Sequence, residues 1–145
     1  MQKLLVAFEV HHTAHQANPS LPPEPEPVDA HADHIVQSYI WKRLGQFTRP
    51  GDVLIVESGT AQFGFPDATL SRDVCYITQL YYGSIGYSVG CCLGAALAQR
   101  ELNGDQTGRT ILVVGDGSLQ LTVQEIGTMI KLGLKPIMYV AADLY

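Results

Sequence analysis

Four short apolar runs punctuate the chain, and each is too short to form a helix of ordinary length. The runs cover residues 53–56 (VLIV), 75–78 (CYIT), 110–114 (TILVV) and 137–141 (IMYVA). Continuous apolar runs of this length are typical of strands that are buried on both faces of a sheet. The pattern therefore predicts four strands, of which the one at residues 53–56 is expected to be buried on both faces.

The segments between and before these runs carry helical spacing. Residues 34–47 place Ile35, Tyr39, Trp41, Leu44 and Phe47 close to a helical period. Alternation of strands and helices is typical of a parallel sheet with helices on its faces. The predicted fold class is α/β, a parallel sheet with helices on both faces.

A long uncharged stretch runs from Val74 to Gln99. Within it, four small residues recur every fourth position and predict a row along one helix: Gly86, Gly90, Gly94 and Ala98. Such a row lets another element approach closely. A transmembrane helix with a small-residue face is the alternative, although serines and glycines dilute its hydrophobicity.

The last predicted helix has recognisable ends. Thr122 and Glu125 have the spacing of a capping box, which predicts a helix that begins at Thr122. Gly133 is expected to end this helix, and Pro136 prevents its continuation.

Composition narrows the class of protein. The chain has 145 residues, enough for one domain, and a net charge of -5 without a basic patch. Nucleic acid and anionic membranes are therefore not expected as partners. The run from Leu4 to Phe8 is too short for a signal peptide, and the adjacent Cys91 and Cys92 favour neither disulfides nor a zinc site. A reducing compartment, the cytoplasm, is predicted.

Residues 1–33 differ from the rest because prolines and histidines crowd them. Prolines exclude regular helices and central strands, so this stretch is predicted to be a proline-rich linker, with the domain occupying residues 34–145. A linker at the start of a chain predicts a further part before it. His11, His12 and His15 have the look of a metal cluster, but their place on such a linker argues against metal binding.

Two predicted strands end in acidic residues. Asp116 follows the third strand and Asp143 the fourth. Parallel strands have their carboxyl ends at one edge of the sheet, where ligands of open α/β sheets bind. Two carboxylates there suit Mg²⁺, and Gly117 and Ser118 suit a phosphate. Taken alone, the Asp-Gly-Ser segment after a strand favours an ordinary turn over a ligand site.

Glycine-rich nucleotide-binding motifs of the GxGxxG and GxxxxGK[ST] types are absent from the sequence. An unrelated nucleotide-binding α/β domain is therefore a weaker alternative. It predicts binding of a dinucleotide.

Three segments together resemble the thiamine diphosphate-dependent 2-oxo acid decarboxylases of the pyruvate decarboxylase type. Residues 115–136 (GDGSLQLTVQEIGTMIKLGLKP) resemble that family's GDG signature, residues 57–61 (ESGTA) its ETGTS loop, and residues 79–86 (QLYYGSIG) its SQxxWGSIG segment. The spacings also agree, and the resemblance covers residues 34 to about 140. It implies the C-terminal cofactor-binding domain of such an enzyme, truncated, with an incomplete thiamine diphosphate-binding fold.

The resemblance implies roles for four residues in the ESGTA and QLYYGSIG segments. Thr60 is expected near the diphosphate, and the Gly83 carbonyl is expected to accept a hydrogen bond from the aminopyrimidine. Ile85 is expected to bend the cofactor so that its amino group reaches the thiazolium C2 proton, with Ser84 in the same cofactor-binding segment.

The resemblance likewise makes Asp116 a magnesium ligand, with Gly117 and Ser118 holding the diphosphate. The chain departs from the family at its end, where a pair of asparagines is replaced by Ala142 and Asp143. Asp143 can still bind Mg²⁺, and the third ligand is expected to be the carbonyl of Tyr145. No catalytic residue of the family is matched in this chain.

The implied parental reaction is the non-oxidative decarboxylation of a 2-oxo acid, pyruvate or an aromatic analogue, to an aldehyde and carbon dioxide. The family works as a homodimer or tetramer, with active sites formed between subunits. The chain alone is expected to be inactive. The alternative function is a catalytically dead remnant that binds cofactor or docks on a full-length relative.

Overall fold

A computed structural model describes residue 31 and residues 33–103 and 108–142. The predicted linker therefore lies almost wholly outside the described residues. Asp143 and Tyr145, two of the three predicted metal ligands, also lie outside them.

Four parallel strands form a single sheet in the order β2-β1-β3-β4. The strands are β1 (Val53–Val56), β2 (Cys75–Thr78), β3 (Thr110–Gly115) and β4 (Ile137–Ala141). The register pairs Val53 with both Cys75 and Thr110, and Ile111 with Ile137. The four strands predicted from the apolar runs are confirmed.

Within the described residues, five helices connect and cover the strands. They are α1 (Gln37–Phe47), α2 (Thr60–Gly64), α3 (Tyr87–Asn103), α4 (Asp116–Leu121) and α5 (Gln124–Lys131), with a 3-10 turn (Phe65–Asp67) directly after α2. The helix α2 lies where the sequence indicated a loop after β1. Its residues carry no capping side chain and no apolar period, so local sequence did not mark it.

Two apolar layers cover the two faces of the sheet, because successive strand residues point to opposite faces. Trp41 of α1 and Phe65 of the 3-10 turn pack on one face, against four buried strand residues: Leu54, Val56, Ile111 and Val113. Val89 and Cys92 of α3 and Met129 of α5 pack on the other, against Ile55, Leu112 and Val114. The prediction of helices on both faces is confirmed.

A buried ion pair fastens the amino-terminal edge of the sheet. Asp52, 1% exposed, accepts hydrogen bonds from the backbone amides of Arg49 and Arg109, both at 2.8 Å. The Arg109 guanidinium donates to the same carboxylate at 2.6 and 3.2 Å, and to the Phe47 carbonyl at 2.7 Å. These contacts join the starts of β1 and β3.

Two expectations about the helices are wrong in detail. The capping box is not formed: α5 begins at Gln124 without a side-chain cap, and the Thr122 hydroxyl donates to the Gly86 carbonyl instead. Gly86 precedes α3, and the space beside Gly90 and Gly94 is open among the described residues. The close approach predicted for the row of small residues is therefore not seen at those two positions.

Within the described parts of the chain, no helix is both long enough and apolar enough to cross a membrane.

Candidate functional site

A cavity of about 630 Å³ opens at the carboxyl-terminal edge of the sheet. Its walls come from the segments that follow β1, β3 and β4, and residues at the start of α1 close it from the side. Thr60, Asp116 and Ser118 line this cavity together. The parallel topology explains the convergence, because the ends of neighbouring parallel strands meet at one edge.

Asp116 is the first residue of α4 and follows β3 without a loop. Its side chain is exposed, and one carboxylate oxygen accepts the amide of Gly117 at 2.8 Å. The second oxygen has no hydrogen bond among the described residues, and a hard cation favours such a ligand. Open space lies where a side chain at Gly117 would begin, so a ligand can approach the backbone there.

Thr60 occupies the first turn of α2, four residues after the end of β1. It is exposed and lines the same cavity as Asp116 and Ser118. The preceding Gly59 has a φ of 137°, which side-chain-bearing residues rarely adopt. The turn at Gly59 is what carries the chain from β1 over the cavity to Thr60.

The loop before α3 holds the remaining predicted residues, and it does not line this cavity. Gly83 has a φ of 57° with open space around it, and Ile85 is 57% exposed. The Ser84 amide donates to the side-chain oxygen of Gln79 at 2.6 Å. The structure thus brings Thr60, Asp116 and Ser118 together and leaves the Gly83–Ile85 segment on a separate, exposed surface.

Glu57 is a buried acid that the sequence showed only as part of the ESGTA segment. It follows β1 directly and is 2% exposed. One carboxylate oxygen accepts the Ser58 amide at 2.8 Å, and the other accepts the Gly86 amide at 3.1 Å and the Ser88 hydroxyl at 2.6 Å. Glu57 therefore ties the end of β1 to the start of α3.

Gly86 is the meeting point of three segments. Its amide binds Glu57, and its carbonyl accepts the Thr122 hydroxyl at 2.6 Å. With a φ of 90°, it lies so close to α4 that an added Cβ would be 3.0 Å from the Leu121 Cβ and 3.2 Å from the Ser118 carbonyl oxygen. The loop that contains Gly83 is thereby held against the helix that contains Asp116.

Cys91 and Cys92 of α3 are not poised as nucleophiles. Burial, and to a smaller extent the neighbouring Cys91, raises the pKa of the Cys92 thiol to about 12. Burial also raises the pKa of Cys91. A thiol with such a pKa stays protonated near neutral pH and attacks poorly.

Among the described residues, no three His, Cys, Asp or Glu side chains lie close enough together to hold a metal ion. Asp116 is the one predicted ligand that is described, and it stands at the cavity with a free oxygen. This placement suits a cation that is shared with a phosphate group.

Comparison with known proteins points to one family. The family described as "Thiamine pyrophosphate enzyme, C-terminal TPP binding domain" matches residues 57–143. Pyruvate decarboxylase isozyme 2 of Saccharomyces cerevisiae is 53% identical over 104 residues, 72% of this chain and 18% of that protein. Pyruvate decarboxylase of Kluyveromyces lactis is 48% identical over 122 residues, 83% of this chain and 21% of that protein.

The structural comparison shows the same fold. Benzoylformate decarboxylase from Polynucleobacter necessarius superposes with a TM-score of 0.65 at 22% identity, covering 77% of this chain and 20% of that one. The chain therefore spans about a fifth of the length of the relatives that it matches.

Proposed function

The chain belongs to the thiamine pyrophosphate enzymes, and from that premise we propose that it binds thiamine diphosphate and Mg²⁺ in the cavity at the carboxyl-terminal edge. We propose further that the whole protein decarboxylates a 2-oxo acid without oxidation, releasing an aldehyde and carbon dioxide. One observation carries the first proposal: Thr60, Asp116 and Ser118 line a single cavity.

The diphosphate end of the cofactor suits the α4 side of this cavity. Asp116 offers a free carboxylate oxygen to Mg²⁺, and the open backbone at Gly117 and the hydroxyl of Ser118 can contact the phosphates. Asp143 and the Tyr145 carbonyl are the proposed further ligands. Thr60 lines the same cavity and is proposed to contact the diphosphate.

The aminopyrimidine end is assigned to the loop before α3. The Gly83 carbonyl is the proposed acceptor, and Ser84 and Ile85 are the proposed neighbours of the ring. When bound, the cofactor supplies the electron sink for decarboxylation. The residues of this chain bind and orient it, and none of them is proposed to be catalytic.

The substrate, the partners and the location of the protein extend beyond what this chain contains. We propose pyruvate or an aromatic 2-oxo acid as substrate, a homodimer or tetramer as the assembly of the whole protein, and the cytoplasm as its compartment. The extent of the domain, residues 34–145 after a linker at 1–33, is likewise a proposal. The catalytically dead remnant stays the alternative, and it shares the cofactor site.

Calorimetric titration of the purified chain with thiamine diphosphate and Mg²⁺ tests the proposed site. Asp116→Ala should weaken binding about tenfold or more, since even outer-shell partners of a metal commonly matter that much. Asp67→Ala, at an exposed acid far from the cavity, is the matched control and should bind as the wild type does. Equal affinity of the two variants for the cofactor would show that Asp116 does not contribute to the site.

A further inference from the structure

Two polar contacts fix the loop before α3 relative to the cavity. Glu57 at the end of β1 accepts the amide of Gly86, and Thr122 after α4 donates to the carbonyl of the same residue. Residues 83–85 directly precede Gly86, while Thr122 directly follows the helix that begins with Asp116. These two side chains therefore set the separation between the loop and α4.

We propose that Glu57 and Thr122 are positioning residues that hold the 83–86 loop and α4 at the separation required by the two ends of a bent thiamine diphosphate. This inference rests on the proposed function, because the loop and the helix face opposite ends of a ligand only if that cofactor binds. Neither side chain needs to touch the cofactor for this role.

The chemistry of the junction favours a positioning role over simple packing. The carboxylate of Glu57 is almost fully buried and accepts three hydrogen bonds, two of them from residues 29 and 31 positions away. Hydrogen bonds to an ionised acceptor are short and strong, and a buried carboxylate that loses its donors is costly. The loop therefore cannot move away from β1 without breaking this cluster.

The hydroxyl of Thr122 serves the junction instead of its own helix. Its spacing to Glu125 is that of a capping box, yet α5 begins without a side-chain cap and the hydroxyl reaches a carbonyl 36 residues away. A Cβ added at Gly86 would lie 3.0 Å from the Leu121 Cβ and 3.2 Å from the Ser118 carbonyl oxygen, which are tight contacts. The Thr122 side chain therefore links the 83–86 loop to the end of α4 and does not cap α5.

The large side chains of the rest of the loop are exposed and pack little against the domain. Tyr81 and Tyr82 are 93% and 89% exposed, and Ile85 is 57% exposed. If loss of one Gly86 contact left the loop correctly placed only a tenth of the time, the apparent affinity for the cofactor would fall about tenfold, because affinity scales with the competent fraction. A ligand that contacts only α4 would not be affected.

The test titrates the 145-residue chain with thiamine diphosphate plus Mg²⁺ and, separately, with inorganic diphosphate plus Mg²⁺. Thr122→Val should weaken binding of the cofactor about tenfold and leave binding of inorganic diphosphate unchanged. Thr122→Ser keeps the hydroxyl and should restore the wild-type affinity. Thr128→Val, at an exposed position of α5, is the control for the chemical change itself.

Glu57→Gln gives a second, independent measurement. Glutamine has an NH2 donor in place of one of the two carboxylate oxygens, so part of the hydrogen bonding to the loop is lost. The loop peptide 79–88 should therefore exchange its amide hydrogens faster than in the wild type. Its control is Glu101→Gln on the exposed side of α3. If Glu57→Gln fails to fold, the single hydroxyl removed by Thr122→Val still decides the question.

The outcomes separate this inference from the proposed function. A wild-type chain that binds neither ligand, or only inorganic diphosphate, refutes both the proposed cofactor binding and the positioning role. Unchanged cofactor affinity in Thr122→Val refutes the positioning role and leaves the function intact. Equal weakening of both ligands shows a general structural effect and also overturns the inference.

Discussion

Replacing Asp52 with alanine should be the most damaging single change at the amino-terminal edge of the sheet. The Asp52 carboxylate is 1% exposed and accepts four hydrogen bonds, from Arg49 and Arg109. The Asp52→Ala variant leaves two backbone donors without this acceptor and the Arg109 guanidinium without its counter-ion. The starts of β1 and β3 would lose the link between them.

The size of the effect follows from the burial of the two partners. Removing one member of a buried pair costs about 3–5 kcal/mol. The Arg109 side chain is 24% exposed, keeps the Phe47 carbonyl and lies 4.4 Å from the centroid of the Phe47 ring. Water and these contacts partly compensate its charge, so we expect a loss of about 3 kcal/mol. A domain of ordinary stability has roughly 5–15 kcal/mol in total.

Urea unfolding followed by far-ultraviolet circular dichroism measures this loss directly. The control is Glu101→Ala on the exposed side of α3, which should change the free energy of unfolding by less than about 0.5 kcal/mol. A loss below about 1 kcal/mol for Asp52→Ala would refute the reasoning, because it would place the ion pair in the range of exposed pairs.

The same carboxylate predicts a pH dependence. Burial works to raise the pKa of Asp52, but hydrogen bonds from Arg109 and Arg49 and the charge of Arg109 outweigh it, so the pKa is lowered. A lowered folded-state pKa stabilises the fold above the unfolded-state value of about 3.9, and this stabilisation is lost as the pH falls through the folded-state pKa. Asp52→Asn should therefore lose less stability than the wild type does between neutral pH and the acid range.

Three further outcomes are expected. Gly86→Ala should destabilise the fold by about 1–3 kcal/mol in the same urea assay, because it combines a positive φ with contacts to Ser118 and Leu121; unchanged stability would contradict this. In a thiol-titration assay at pH 8, the exposed Cys75 should react fast and the buried Cys92, with a pKa of about 12, only on unfolding; rapid modification of all thiols would contradict this. The purified chain, given pyruvate, thiamine diphosphate and Mg²⁺, should release no aldehyde in a coupled assay, and detectable aldehyde would show that no further part of the protein is needed for catalysis.

Much of the fold could be predicted because burial on both faces leaves a local trace. A strand covered on both faces needs apolar residues at every position, and the runs at 53–56 and 110–114 show this directly. The family likeness could also be predicted, because its motifs are contiguous segments at strand ends, and the comparison confirmed it. The strand-end pattern named Asp116 and Ser118, the family resemblance named Thr60, and the parallel topology placed the three on one cavity.

Other features depended on contacts that no local pattern records. Thr122 and Glu125 had the spacing of a capping box, yet in the packed chain the Thr122 hydroxyl donates to the distant Gly86 carbonyl, and α5 has no side-chain cap. Glu57 accepts three hydrogen bonds, and two of the donors come from a distant segment of the chain, so its role could not be predicted locally. A polar side chain pairs with whichever buried partner the packed chain brings within reach, and burial makes that pairing obligatory. The strand order, which sets β1 between β2 and β3, decides which partners those are.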